Sequence, residues 1–252
     1  MTGSAAVGLR RDGAVARIEV GSGRRANALG VRDWRALAEL LDGLSQDPSL
    51  GAVVLSGRGT AAFSAGSDMR EWLGADPERI DDAFAVMEET LRAVEHMPAP
   101  VIAQIRGAAV GAGCQLACAC DLRVIADEAH MGMPVARWGI LVPPAFAARL
   151  ALLTGPARTR DLLYTGRLVD GAEAVRIGLA TLTVPAARLP AATDRLLASI
   201  TAHPPAAIRA AKRSLDQLLE PVHDHVRKLP AGPSADYTTM RTGLTHFLSR
   251  LA

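Results

Sequence analysis

The sequence predicts an α/β fold made of repeated strand-to-helix units, and three observations predict it. Two short β-branched apolar runs, Ala52-Val-Val-Leu-Ser56 and Val101-Ile-Ala-Gln-Ile105, each end at a turn and read as buried strands. A glycine-bearing segment follows each run. These are Phe63-Ser-Ala-Gly-Ser-Asp-Met69 and Arg106-Gly-Ala-Ala-Val-Gly-Ala-Gly-Cys-Gln115. Each of them leads into a helix-like stretch whose first N–H groups have no intrahelical partner.

The elements follow in order. Val7 to Val20 alternates as a hairpin, with Arg11-Asp-Gly13 as its turn. Val31 to Ser45 predicts an amphipathic helix with Trp34, Leu37, Leu40, Leu41 and Leu44 on one stripe, and Asp47-Pro48 breaks it. After the first strand and its glycine segment, Ile80, Ala83, Phe84, Met87, Leu91 and Val94 recur at helical spacing. Met97-Pro-Ala-Pro100 stops that helix ahead of the second strand. Leu122-Arg-Val-Ile-Ala126 and Ala180-Thr-Leu-Thr-Val184 read as later strands, with Thr154-Gly-Pro156 and Gly171 punctuating helices between them. Beyond Pro185 three helices are predicted, from Leu189 to Thr201, Pro205 to Leu219 and Tyr237 to Leu251. Pro204-Pro205 and Pro230-Ala-Gly-Pro233 separate them. The expected division is a spiral α/β core over 1–188 and a helical region over 189–252.

At 252 residues, 49% hydrophobic and 21% charged, the chain can bury a full core and is expected to be globular. Its net charge of +2 comes from interspersed residues rather than a basic run, which argues against a nucleic-acid groove and for small-molecule chemistry. No stretch of 18 apolar residues occurs, and Met1-Thr-Gly-Ser-Ala-Ala-Val lacks the charged and apolar halves of a signal peptide. A cytoplasmic location without a membrane partner is therefore expected. Cys114, Cys118 and Cys120 raise the question of a metal. On a helix the first two share a face, the third points away, and no histidine lies near to complete a set. They read as small buried apolar residues, and no metal site is expected.

Two glycine-bearing turns that both present free backbone N–H groups suggest a single site for a negative oxygen. The residues that build it resemble the crotonase superfamily, also called the enoyl-CoA hydratase/isomerase family. The resemblance runs through Arg25-Ala-Asn-Ala-Leu29, the A-G-x-D element Ala65 to Asp68, the G-x-G-C-x-L-A element Gly111 to Ala117, and Cys120-Asp-Leu-Arg123. It continues through Leu162-Leu-Tyr-Thr-Gly-Arg167 and Ala172-Glu-Ala-Val-Arg-Ile-Gly-Leu179. What it implies is a crotonase-like spiral of strand-strand-helix turns, with a C-terminal helical region that packs between subunits of a homotrimer or a dimer of trimers. It also implies an acyl-CoA substrate, and no cofactor beyond the coenzyme A that the substrate carries.

Carried over by motif position, the N–H groups of Ser67 and Ala112 hold the thioester oxygen as an enolate forms, with Ala65, Gly66 and Gly111 shaping the turns. Arg24, Arg25 and Ala26 fall where the family meets the nucleotide part of coenzyme A. Phe247 and Arg250 match a Phe-x-x-Lys pattern with arginine in place of lysine, and arginine still binds phosphate. Hydratases of the family add two glutamates that deliver water across a double bond. Here those positions hold Gln115, whose amide can orient a water but not take its proton, and Val135, which exchanges no proton. Decarboxylation or double-bond isomerisation is thus favoured over ordinary hydration. A catalytically weak acyl-CoA-binding paralogue, or a hydratase with substitute residues, stays open beside it.

The candidate substitutes each have a second reading. Asp68 and Glu71 either join the chemistry or stabilise the N-terminus of the helix after the first glycine segment, His130 and Arg137 either face the pocket or lie at the surface, and Trp72 lines the acyl pocket or fills the core.

Overall fold

The computed structural model describes residues 7–230 and 232–249, with the backbone alone at 247 and 248. Strands β1 (Val7–Asp12) and β2 (Val15–Val20) form the antiparallel hairpin, turning at Gly13-Ala14, so Arg11 and Asp12 belong to the strand rather than the turn. Helix α1 (Val31–Ser45) buries Trp34, Leu37, Leu41 and Leu44, the predicted stripe with Leu40 at its edge.

Three turns of strand, short strand and helix come next. The first is β3 (Ala52–Gly57), β4 (Ala62–Ser64) and α2 (Pro77–Glu95). The second is β5 (Val101–Ile105), β6 (Ala108–Val110) and α3 (Ala112–Ala119), and the third β7 (Leu122–Ala126), β8 (His130–Gly132) and α4 (Pro144–Thr154). Then follow α5 (Pro156–Thr165), β9 (Leu168–Asp170), α6 (Gly171–Arg176), β10 (Leu182–Val184), α7 (Leu189–Thr201), α8 (Pro205–Lys228) and α9 (Tyr237–Ser249). Two sheets result, a six-stranded one in the order β1-β2-β3-β5-β7-β10 and a four-stranded one in the order β4-β6-β8-β9. All neighbours pair in parallel except β1 with β2 and β8 with β9. The mixed α/β architecture of repeated turns is the predicted one.

Burial explains the sequence pattern. Val53, Val54 and Leu55 of β3 and Val101, Ile102 and Ala103 of β5 are all buried, so these strands show apolar runs instead of alternation, as parallel strands covered on both faces do. Helix α2 begins where Asp76 accepts the Arg79 N–H at 2.8 Å with Pro77 at its first position, and it buries all six residues of the predicted stripe. Among the described residues no helix is long and apolar enough to cross a membrane.

Three expectations need correction. The first glycine segment leads into a short 3-10 turn, Met69–Trp72, and not directly into an α-helix. The strand expected from Ala180 begins at Leu182. The helix expected to stop at Leu219 continues through Pro221 to Lys228. Proline in a helix interior removes one hydrogen bond and costs about 3 kcal/mol. In α8 the carbonyl it leaves free is that of Gln217, an exposed residue, where water can replace the bond.

The short strand β4 sits so close to α3 that a Cβ at Gly113 would overlap the Ser64 carbonyl oxygen. Gly113→Ala is therefore expected to destabilise the protein by at least about 1 to 3 kcal/mol, because backbone must move to admit the methyl group. Urea denaturation checks this, and an unchanged midpoint would show that the contact is soft.

Candidate active site

The two glycine segments meet. Gly66 has φ +94°, and a Cβ there would lie 2.8 Å from the Val110 carbonyl oxygen and 2.9 Å from the Ala112 nitrogen, so only glycine lets the first turn close on the second. Hydrogen bonds fix the first turn from both sides. Ala65 N–H donates to the Ala26 carbonyl and Asp68 N–H to the Leu29 carbonyl, each at 2.8 Å, while the Gly66 carbonyl accepts Leu29 N–H at 2.8 Å. Ser64 Oγ accepts the Gly66 N–H at 3.1 Å and donates to the Asn27 carbonyl at 2.9 Å. None of these bonds takes the N–H of Ser67. The second turn runs Val110-Gly111 into α3, where Gly111 N–H donates to the Gly132 carbonyl at 2.9 Å. Ala112 is the first residue of α3, so its N–H has no partner within the helix. Two neighbouring backbone donors are left over, and such donors can stabilise a developing negative oxygen.

Both Ser67 and Ala112 line one cavity, of about 560 Å³ with its open mouth. Its walls are Ala65, Met69 and Trp72 from the first turn, Phe84 and Met87 from α2, Val110 and Gly111 from the second turn, and residues 133–135, 138, 140, 142, 143 and 146. Among the described residues none of its lining side chains is acidic, basic or a histidine. Of the residues that sequence placed at the site, Ala65, Ser67, Trp72, Gly111, Ala112 and Val135 line it. Trp72 is also buried and stacks on Phe84 at 5.4 Å between ring centroids.

The other candidates are elsewhere. Gln115 is fully buried and does not line the cavity. Its Nε2 donates to the Phe146 carbonyl at 3.4 Å and to Met133 Sδ at 3.6 Å, and its Oε1 accepts from Arg149 at 3.1 Å. Arg149 in turn pairs with Glu95 at 2.6 Å and Glu88 at 3.1 Å. Burial pulls the Arg149 guanidinium toward neutrality, but the hydrogen bonds and charges of Glu95 and Glu88 outweigh it and raise its pKa. Asp68 does not line the cavity either: it accepts the Arg70 N–H at 3.2 Å and pairs with Arg25 at 2.7 Å. Glu71 accepts the Val31 N–H at 2.9 Å and so serves the start of α1, not of the helix that follows its own segment. His130 is exposed on β8, and Arg137 donates to the Gly166 carbonyl at 3.1 Å; neither lines the cavity. Cys114, Cys118 and Cys120 are buried free thiols, burial raises the pKa of Cys120, and no metal-ligand cluster occurs among the described residues.

Arg25 and Ala26 lie outside the cavity, on the segment that braces its first turn. Arg25, Ala26 and Asn27 have φ of +50°, +48° and +56°, three successive left-handed residues without a glycine. The side chain of Asn27 holds this turn, accepting from Gly23 N–H at 2.8 Å and donating to the Arg58 and Ala62 carbonyls at 3.0 and 2.8 Å. The side chain of Phe247 and all of Arg250 lie outside the described residues. Sequence reasoning missed Phe146, Ile140, Val142 and Pro143, whose region carries no polar signature. It read Phe84 and Met87 only as part of a helix stripe, because a stripe facing a cavity has the same spacing as one facing a core.

The fold and site define the class: a crotonase-type spiral with a backbone-built site over an apolar cavity. The chain belongs to the enoyl-CoA hydratase/isomerase family of enzymes, which it matches over residues 10–252. YngF of Bacillus subtilis is 33% identical over 207 residues, 82% of this chain and 79% of its own. The crystal structure of an enoyl-CoA hydratase/carnithine racemase from Magnetospirillum magneticum superposes with a TM-score of 0.83 at 32% identity, covering 97% of this chain and 93% of that one. A monofunctional enoyl CoA isomerase from M. smegmatis has a TM-score of 0.73 at 30% identity, over 86% of this chain and 95% of its own.

Replacing Gly66 by alanine is expected to separate the two turns and lower kcat on an acyl thioester by roughly 10²- to 10³-fold, the usual cost of one lost oxyanion donor. A folded Gly66→Ala protein with wild-type kcat would remove these N–H groups from the chemistry.

Proposed function

We propose that the protein decarboxylates a malonyl-type acyl-CoA, holding the thioester enolate with the N–H groups of Ser67 and Ala112. One observation carries this reading: those two donors open on a cavity whose described lining has no side chain able to take or give a proton near pH 7. Addition of water by two glutamates needs such groups. Decarboxylation does not, because the substrate's own carboxylate supplies the electrons. The bond from that carboxylate to the α-carbon breaks, its electron pair moves into the enolate, carbon dioxide leaves, and the α-carbon takes a proton from water. Each backbone donor contributes about 3 to 4 kcal/mol to such a step. Val135 and its apolar neighbours deprive the carboxylate of hydration, which favours its departure.

Double-bond isomerisation, the activity named for the M. smegmatis structure, is the second reading. It requires a proton carrier between two carbons, and within the cavity the Ser67 hydroxyl and water are what remain. Binding of an acyl-CoA without turnover is the third. The nucleotide part of the substrate falls to Arg25, more than half exposed beside the first turn, and to Ala26, with Phe247 and Arg250 in the same role.

Mass spectrometry of purified protein with methylmalonyl-CoA and crotonyl-CoA tests the proposal. Loss of carbon dioxide from the first without gain of water by the second is expected. Water gain alone would sink the decarboxylase reading in favour of a hydratase, and no mass change on any malonyl-type thioester would leave isomerisation or binding.

A homotrimer or dimer of trimers belongs to the same proposal. It is supported by α8, which buries no apolar residue within the chain and exposes Leu215, Leu218 and Val222. Light scattering at micromolar concentration is expected to give three or six chains; a monomer would refute this part.

A further inference from the structure

The cavity ends in a wall of two stacked rings, and a second space begins directly behind it. Phe84 of α2 and Phe146 of α4 stack with centroids 6.4 Å apart and are almost wholly buried. Both also line an adjoining wide groove of about 1940 Å³ including its open side, as do Val142 and Pro143. These four residues are thus a partition one side chain thick. The two sides differ in character. The cavity has mostly apolar walls and no charged side chain, whereas the groove mixes Leu141 and Leu229 with Asp81, Glu88 and Arg92.

The partition is held rigid from behind. The Phe146 carbonyl accepts Gln115 Nε2 at 3.4 Å, and the Arg149 guanidinium lies 5.9 Å from the Phe146 ring centroid, itself fixed by Glu88 and Glu95. Phe84 also stacks on Trp72. Neither ring can swing aside without breaking stacking and displacing groups that are themselves paired. We propose that the Phe84–Phe146 pair determines the longest acyl chain this protein accepts, and that the groove is where a longer chain would pass if the pair were opened. This rests on the acyl-CoA reading of the cavity but not on decarboxylation.

The test is calorimetric binding of unreactive straight-chain saturated acyl-CoAs of increasing length, with free coenzyme A as reference. Each methylene that finds apolar wall should tighten binding about fourfold, until the chain meets the rings and the gain stops. Phe84→Ala should carry the gain on to longer chains. Val142→Ala opens the same partition with less loss of core and decides the matter if Phe84→Ala does not fold. A wild-type series that never levels off, or folded variants that level off at the wild-type length, would overturn the inference. Acyl-CoAs binding no better than free coenzyme A would overturn the acyl-CoA reading as well, whereas absence of carbon dioxide release would leave the chain-length result standing.

Discussion

Gly66 packs its α-carbon against the Val110 carbonyl and the Ala112 nitrogen, and Gly113 packs against the Ser64 carbonyl, so two loops from different turns of the spiral touch backbone to backbone. This contact sets the separation of the Ser67 and Ala112 N–H groups, and nothing in the site is independent of it. A side chain at either glycine would push α3 away from β4. Because both N–H groups belong to the main chain, Ser67 in a loop bridged to Leu29 and Ala112 at the start of α3, their positions are set by backbone contacts and not by rotamers.

The left-handed turn at Arg25-Ala26-Asn27 serves the same contact. Each such residue costs about 1 to 2 kcal/mol, and the turn persists because Asn27 makes three side-chain hydrogen bonds and Ala26 receives the N–H of Ala65. Strain is thereby placed beside the first glycine turn, where it aligns Ala65 and frees the next available donor, Ser67. Leu29 completes the brace by bridging to the same segment.

Position 115 shows how a neighbour changes what a residue can do. An amide at the head of α3 could face either the cavity or the protein interior. Arg149 attracts its oxygen, while the Phe146 carbonyl and Met133 sulfur take its nitrogen, so the group works inward and stiffens the cavity wall. Arg149 can be buried there because two carboxylates surround it; without them the desolvation penalty would be prohibitive. The same cluster therefore links α2, α3 and α4 behind the site.

The sequence by itself determined the turns of the spiral, the strands β3, β5 and β7, and the glycine segments at the site, because each is a local signal. Apolar runs mark buried parallel strands, glycines mark turns, and helical spacing marks α1 and α2. It also supplied Ser67, Ala112 and Val135 through the order of motifs. What the tertiary structure decided is where side chains turn once several partners compete. Asp68 and Glu71 go to Arg25 and to the start of α1, and Gln115 goes to Arg149, tens of residues away along the chain. The three-residue strands β4, β6 and β8 are likewise too short to carry a period and exist by pairing with one another. Phe84 and Phe146 illustrate the remaining limit: an apolar residue facing a cavity and one facing a core obey the same spacing, and only the packing of α2 against α4 distinguishes them.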